Sequence, residues 1–329
     1  MGVGYGKLLL FGEHAVVHGY PAVGIGCERR ITVTFDTDND SGDAARTVEI
    51  AGRQTLAHGL GAEDAATFRR AVERALTAAG IPETTPGYIR IESDLPPGVG
   101  LGSSAALAAA IAFETLASGD RAERSTLDEA SKRRVWELAH DIERIYHGTP
   151  SGIDTALAVY RGTLAVYPEP PRMPRIEALK PRTDMAIVYG YLPRTGATAT
   201  LVAAIREALD AGNRRTRDAL DALGASSRRA IEMLAGRSPD AAAFGGLADE
   251  AHRHLRSLGL STSELEECLS AGRRAGALGG KLSGAGGGGA WFLVFDEGEK
   301  AEAAAREIGG RLGGVSLSVL PIAPTVSAD

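Results

Sequence analysis

Asp94-Leu95-Pro96-Pro97-Gly98-Val99-Gly100-Leu101-Gly102-Ser103-Ser104 places three glycines within five residues, directly before two serines. Upstream, Tyr88 to Ser93 alternates with Ile89 and Ile91 on one face, which predicts a half-buried strand. Downstream, an alanine-rich run to about Ser118 predicts a helix. Strand, glycine loop and helix in that order suit an anion. Glycines let backbone N–H groups converge, and a helix starting at the serines adds the positive end of its dipole. The loop is no Walker A motif, which needs Gly-Lys-Ser/Thr, and Ser103 stands where a GxGxxG fingerprint has its last glycine. A flexible connector with Ser103 or Ser104 as N-cap is the alternative; the glycine spacing favours a phosphate.

The chain around this loop has 329 residues, enough for about two domains at ~150 residues each. Apolar residues make up 44% and charged residues 24%, an ordinary globular mix that excludes a disordered or fibrous chain. Glycine is in excess, 42 residues against an average near ~7%. The net charge of −6 leaves no basic field for nucleic acid or an anionic membrane, so a bound anion needs a local device. Two cysteines, Cys27 and Cys268, are too few for a disulfide framework or a zinc site. With no signal peptide read at Met1 to Lys7 and no apolar run long enough to span a bilayer, a cytoplasmic protein is expected.

Strands are expected at Leu8 to Phe11, Ala22 to Ile25 and Ile31 to Phe35, and an exposed acidic turn at Asp36 to Asp43. Phe68, Ala71, Val72, Ala75, Leu76 and Ala79 mark one helical face, and Val135, Leu138, Ala139, Ile142 and Ile145 another. The five prolines between Pro168 and Pro181 suggest a linker, dividing the chain into domains at 1–167 and 182–329. Beyond it come a strand from Met185 to Leu192 and helical stretches over Leu201 to Gly236, Pro239 to Leu258 and Ser263 to Ala275. A second glycine loop, Lys281 to Gly289, precedes a strand from Ala290 to Phe295, a helix and a last strand from Val315 to Leu320. Without regular βαβ alternation the class is α+β.

Several stretches could carry chemistry. Five glycines in the six positions Gly284 to Gly289 suit close backbone approach to a ligand, or a mobile loop before a buried strand. Lys7 precedes an apolar strand ending in Gly12-Glu13-His14; taken locally, a strand-edge lysine and a surface Glu-His pair are the commoner case. Asp154, after Pro150-Ser151-Gly152-Ile153, reads locally as a helix cap, and Glu143, eleven residues earlier, as a solvated helix-face carboxylate. His252-Arg253-His254 point apart on a helix, and His140 and His147 lack HExxH spacing, so neither suggests a metal site.

Together the three glycine-containing stretches, in this order from Gly6 to Gly289, resemble the GHMP kinase superfamily. Gly12-Glu13-His14-Ala15-Val16-Val17-His18-Gly19 and the run from Glu143 to Asp154 are similar to its mevalonate kinase branch. The resemblance implies a two-domain fold, with an N-terminal half like ribosomal protein S5 domain 2 and a ferredoxin-like C-terminal half. It implies transfer of the ATP γ-phosphate to the C5 hydroxyl of mevalonate. Pro97, Gly98, Val99, Gly100, Leu101, Gly102, Ser103 and Ser104 would cradle ATP, and Ser104 with Glu143 would hold Mg²⁺. Asp154 would be the general base, with Lys7 keeping it ionised and stabilising developing charge. Glu13, His14, Tyr146, Gly284 and Ala285 would contact the acceptor. In Pro193-Arg194-Thr195-Gly196-Ala197-Thr198-Ala199-Thr200 the sequence departs from the family's pattern; Thr198 aligns best as the substrate threonine, with Thr195 and Thr200 as alternatives. Rival readings are a GHMP kinase for phosphomevalonate, a sugar or homoserine, and a non-catalytic sensor of the same fold. The expected partners are ATP and mevalonate, with no nucleic acid and no membrane; a homodimer is compatible with the resemblance.

Overall fold

The structure, a computed structural model, describes residues 1–36, 48–51, 70, 73–78, 80, 88–117, 128–147, 150–195, 198–236, 239–312 and 317–322. The acidic turn expected beyond Asp36 and most of the helical face from Phe68 lie outside them, although Ala75 and Leu76 are buried as that face requires. Two compact units divide the chain. One gathers Met1–Lys7, Gly26–Pro97 and Gly102–Arg161, the other Leu8–Ile25, Gly98–Leu101 and Gly162–Asp329.

The first unit contains the beginning of β1 (Gly2–Phe11), the later part of β2 (Ala22–Asp36), β3 (Val48–Ala51) and β4 (Tyr88–Ser93). β2 pairs antiparallel with β4 from Ile31↔Ser93 to Asp36↔Tyr88, and β3 runs parallel to β4. Three helices follow, α1 (Ser103–Ala117), α2 (Glu129–His147) and α3 (Ile153–Tyr160). The alanines of α1 at positions 105, 106, 108, 109, 110 and 112 are fully buried. Such small side chains let a strand backbone lie directly on the helix. A Cβ at Gly4 of β1 would stand 1.9 Å from the Ala106 carbonyl oxygen, so glycine is the residue that fits there.

In the second unit β5 (Thr163–Tyr167) pairs antiparallel with Ala22–Ile25 of β2 and with β6 (Arg175–Leu179). The stretch expected as a linker therefore carries a strand. Its prolines, at 168, 170, 171, 174 and 181, all flank Arg175–Leu179 and leave that run every backbone N–H it needs for the ladder. Farther on, β7 (Ala186–Leu192), β8 (Gly279–Leu282), β9 (Gly289–Phe295) and β10 (Leu317–Pro321) form an antiparallel sheet in the order β10-β7-β9-β8. Numbered within the sheet that is 4-1-3-2, the ferredoxin-like order. β9 is buried along its whole length, as its unbroken apolar run predicts for a central strand.

The helices of this unit are α4 (Thr198–Asp210), α5 (Arg214–Ala235), α6 (Ala241–Ser257), α7 (Ser263–Arg274) and α8 (Gly298–Arg311). The continuous helical stretch expected from Leu201 to Gly236 is two helices. Gly212, at φ +74°, turns the chain, and the Asn213 side chain accepts from the Thr216 N–H to start α5. Asp240 and Thr262 cap α6 and α7 in the same way. The stripe Phe244, Leu247, Ala248, Ala251 and Leu255 is buried as its spacing predicts, and α6 packs on β8. Among the described residues no helix is long and apolar enough to cross a membrane.

Candidate active site

In the first unit the candidate residues gather at Lys7. The turn before α3 has Gly152 at φ +81° in the N-cap position with no side-chain cap. The Gly152 carbonyl accepts from Trp136 Nε1 and Thr155 Oγ1, each at 3.2 Å, which fixes the turn. Asp154 is thus not spent as a cap. Its Oδ1 lies 3.2 Å from Lys7 Nζ, and its side chain stays 35% exposed while that of Lys7 is 5% exposed. The stem of Lys7 packs against Gly102, where a Cβ would stand 2.9 Å from its Cγ. The local reading of Lys7 as a strand-edge residue gives way to burial.

Glu143, on α2, is also buried and not the solvated carboxylate its helix position suggested. Burial, reinforced by the charge of Asp154, pushes its carboxyl up to about 8; Lys7 and a hydrogen bond from Ser104 oppose the shift. Ser104 stands in the first turn of α1, one residue after Ser103. One carboxylate and one hydroxyl are hard oxygen donors, and a magnesium-like ion needs only one or two protein oxygens when phosphates and waters complete its shell. The donor set therefore fits such an ion, although among the described residues no cluster of three His, Cys, Asp or Glu could hold a metal unaided.

In the second unit Gly98, Gly100 and the run Gly286 to Gly289 all have positive φ. Pro97 and Gly98 are exposed, Val99 and Gly100 half-buried and Leu101 buried. Arg194, at the end of β7, was not singled out from the sequence. A Cβ on Gly100 would stand 2.7 Å from its Nη2, one on Gly289 2.8 Å from its Nε and one on Gly284 3.5 Å from Nη2. The two glycine loops are thus shaped around one guanidinium. Thr195 donates to the Gly287 carbonyl through N–H and Oγ1, at 2.9 and 3.2 Å, and Gly287 N–H donates to the Leu260 carbonyl at 2.9 Å.

Glu13 and His14 are buried, not a surface pair. His14 Nε2 lies 3.0 Å from the Ala285 carbonyl, which can only accept, so Nε2 carries the proton and Nδ1 is an acceptor. Burial pushes the imidazole below its ordinary range against that hydrogen bond, which keeps it neutral. The Glu13 carboxylate meets Lys281, a residue of β8 that the sequence reading treated only as the start of a glycine loop. Its signal was a lysine inside a strand-length run otherwise made of glycine and leucine. Of the other expected site residues, the side chains of Tyr146 and Thr198 lie outside the described residues, and Thr200 is exposed on α4.

Two family models match the chain, "GHMP kinases N terminal domain" over residues 66–162 and "GHMP kinases C terminal" over residues 228–313. The chain belongs to the GHMP kinases. Among curated GHMP kinases it is 32% identical to a mevalonate kinase of Pyrococcus abyssi over 92% of this chain and 91% of that one. It is 33% identical to a mevalonate kinase of Aeropyrum pernix over 89% and 88%. A solved GHMP kinase, mevalonate kinase from L. major in complex with R-mevalonate, superposes with a TM-score of 0.79 at 22% identity, covering 99% of this chain and 96% of that one. Streptococcus pneumoniae phosphomevalonate kinase with phosphomevalonate and AMPPNP gives 0.74 at 15% identity over 97% and 99%, so the fold is common to GHMP kinases of different acceptors.

Proposed function

We infer that this GHMP kinase transfers the γ-phosphate of ATP to the C5 hydroxyl of (R)-mevalonate, giving 5-phosphomevalonate and ADP. The acceptor is supported by the mevalonate kinases that match along nine-tenths of the chain. The observation that carries the chemistry is the Lys7–Asp154 pair, one partner buried and the other partly open to water.

Asp154 accepts the hydroxyl proton at its accessible oxygen while the lysine ammonium meets the charge left on the alcohol oxygen. A carboxylate beside an ammonium is a weak base, so positioning and charge stabilisation supply more of the rate than proton abstraction does. The amides of Gly98 to Ser104, the start of α1 and the Arg194 guanidinium hold the phosphates. Ser104 and Glu143 would hold Mg²⁺, which would offset the negative charge of the phosphates. Glu143, whose carboxyl is raised to about 8 by burial, would give up its proton on binding such a cation. His14 Nδ1 and the backbone at Gly284 and Ala285 contact the acceptor. The cytoplasm is the compartment that suits two buried thiols.

The test is an ADP-release assay of the purified protein with ATP and, in parallel, mevalonate, phosphomevalonate, galactose and homoserine. Turnover with mevalonate at least about tenfold above the others in kcat/KM is expected. Preference for another of these alcohols would replace the acceptor and leave the kinase chemistry standing.

A further inference from the structure

The first unit's lysine is accounted for by chemistry; Lys281 of the second unit is not. Its side chain is 0% exposed, as is that of its ion-pair partner Glu13. Nζ also donates to the Leu282 carbonyl at 2.8 Å and stands 5.5 Å from the ring centre of Phe11 and 5.3 Å from that of Phe292. Two residues on, Ser283 Oγ donates to the Leu9 carbonyl at 2.9 Å and accepts from the Leu9 N–H at 3.0 Å. Two residues further, the Ala285 carbonyl accepts from His14 at 3.0 Å. Residues 281, 283 and 285, at the end of β8 and in the bend that follows it at Gly284 (φ +87°), thus grip Glu13, Leu9 and His14.

What they grip is a strained turn. His14 has φ +57° and ψ −38°, and the Ala15 N–H bonds back to the Glu13 carbonyl at 2.6 Å, a γ-turn that a residue with a Cβ seldom adopts. Such a conformation persists only where the surroundings over-determine it. Here the over-determination comes from both sides, Glu13 fixed by Lys281 and His14 fixed by Ala285.

We propose that Lys281 is a positioning residue of this enzyme: through Glu13 it holds the Glu13–Ala15 turn in the shape that aims His14 Nδ1 at the acceptor alcohol. This rests on the reading of His14 as an acceptor contact in a mevalonate-phosphorylating site. It makes Glu13 a strut and not a ligand, since a carboxylate sealed against Lys281 has no exposed surface to offer a substrate. Burial pushes the Lys281 ammonium below its ordinary range and the Glu13 charge opposes that shift, so each partner requires the other.

The experiment compares the natural protein with Lys281→Met, Glu13→Gln, the double variant and Ser283→Ala. It reads kcat, both KM values, the melting temperature and amide hydrogen exchange over residues 10–18. Each single variant leaves one charge buried alone and should melt lower; the double removes both charges and should regain most of that loss. The acceptor KM should nevertheless stay raised roughly tenfold or more in the double, with the ATP KM within about twofold and exchange at residues 12–16 accelerated. Ser283→Ala should raise the acceptor KM by about threefold to tenfold with little effect on melting. A double variant whose acceptor KM returns to the natural value together with its melting temperature would overturn the proposal, leaving the pair as packing alone. If Lys281→Met does not fold, the double and Ser283→Ala decide in the same way. If the natural protein does not phosphorylate mevalonate, the functional reading fails by itself. The exchange data then decide the clasp: faster exchange in the double supports it and unchanged exchange overturns it.

Discussion

Lys7 and Lys281 both stand in β-strands, both are buried and both face a carboxylate, yet water treats the two pairs differently. Asp154 keeps 35% of its side chain exposed beside Lys7, whereas Glu13 beside Lys281 keeps none. A carboxylate that must take a proton from an incoming alcohol has to be reachable. One that only fixes a backbone turn can be sealed, at the cost of desolvating two charges that must then stay together. On the proposed reading the same pairing of lysine and carboxylate serves chemistry in one place and shape in the other, with the exposure of the carboxylate as the difference between them.

The largest expected effect breaks the open pair. Asp154→Asn should lower kcat roughly 10²–10⁴-fold while ATP affinity, read by titration calorimetry, stays within about twofold. A near-normal kcat would remove Asp154 from the chemistry. Next is the contrast in stability. Lys281→Met should cost about 3–5 kcal/mol in denaturant unfolding, and Lys7→Met about 1 kcal/mol or less despite a large loss of kcat. Equal costs would erase the distinction between a sealed pair and an open one.

A pH dependence sharpens the surroundings of the open pair. The Glu143 carboxyl sits at about 8 in the folded protein against an ordinary 4.5. A carboxyl raised on folding contributes stability that is complete below its unfolded value and is lost as pH rises through its folded value. Metal-free protein should therefore lose melting temperature between about pH 5 and pH 8, more steeply than Glu143→Gln does. Added Mg²⁺ should restore stability at the alkaline end in the natural protein and not in the variant. Parallel slopes would show that Glu143 does not titrate there. The smallest effect is expected from Gly100→Ala. It forces a Cβ into φ +89° and to 2.7 Å from Arg194 Nη2. The strain is about 1–2 kcal/mol, and Arg194 can move aside, so a several-fold rise in the ATP KM is the measurable outcome.

Part of this was written in spacing. The apolar stripe of α6 is a short-range pattern, and it is buried as its spacing requires; Glu143 and Asp154 read locally as a solvated carboxylate and a helix cap, and only the resemblance to a family marked them. What escaped was long-range. Glu13 and Lys281 lie 268 residues apart, and nothing local to either says that the other exists. Arg194 escaped for a related reason. Its surroundings are three glycines distant in sequence, and beside a run of threonines it drew no notice. The proline-rich stretch misled because proline was counted and not placed: five prolines around an uninterrupted Arg175–Leu179 permit a strand between them.

The chain passes between the two compact units at Lys7–Leu8, Ile25–Gly26, Pro97–Gly98, Leu101–Gly102 and Arg161–Gly162. Neither unit is a contiguous segment, so no single truncation point releases a self-sufficient half. Chimeras made by joining the front of one relative to the back of another would mix parentage inside both cores at once. Two of those junctions fall inside single strands, Lys7–Leu8 in β1 and Ile25–Gly26 in β2, so a crossover there would build one strand from two parents.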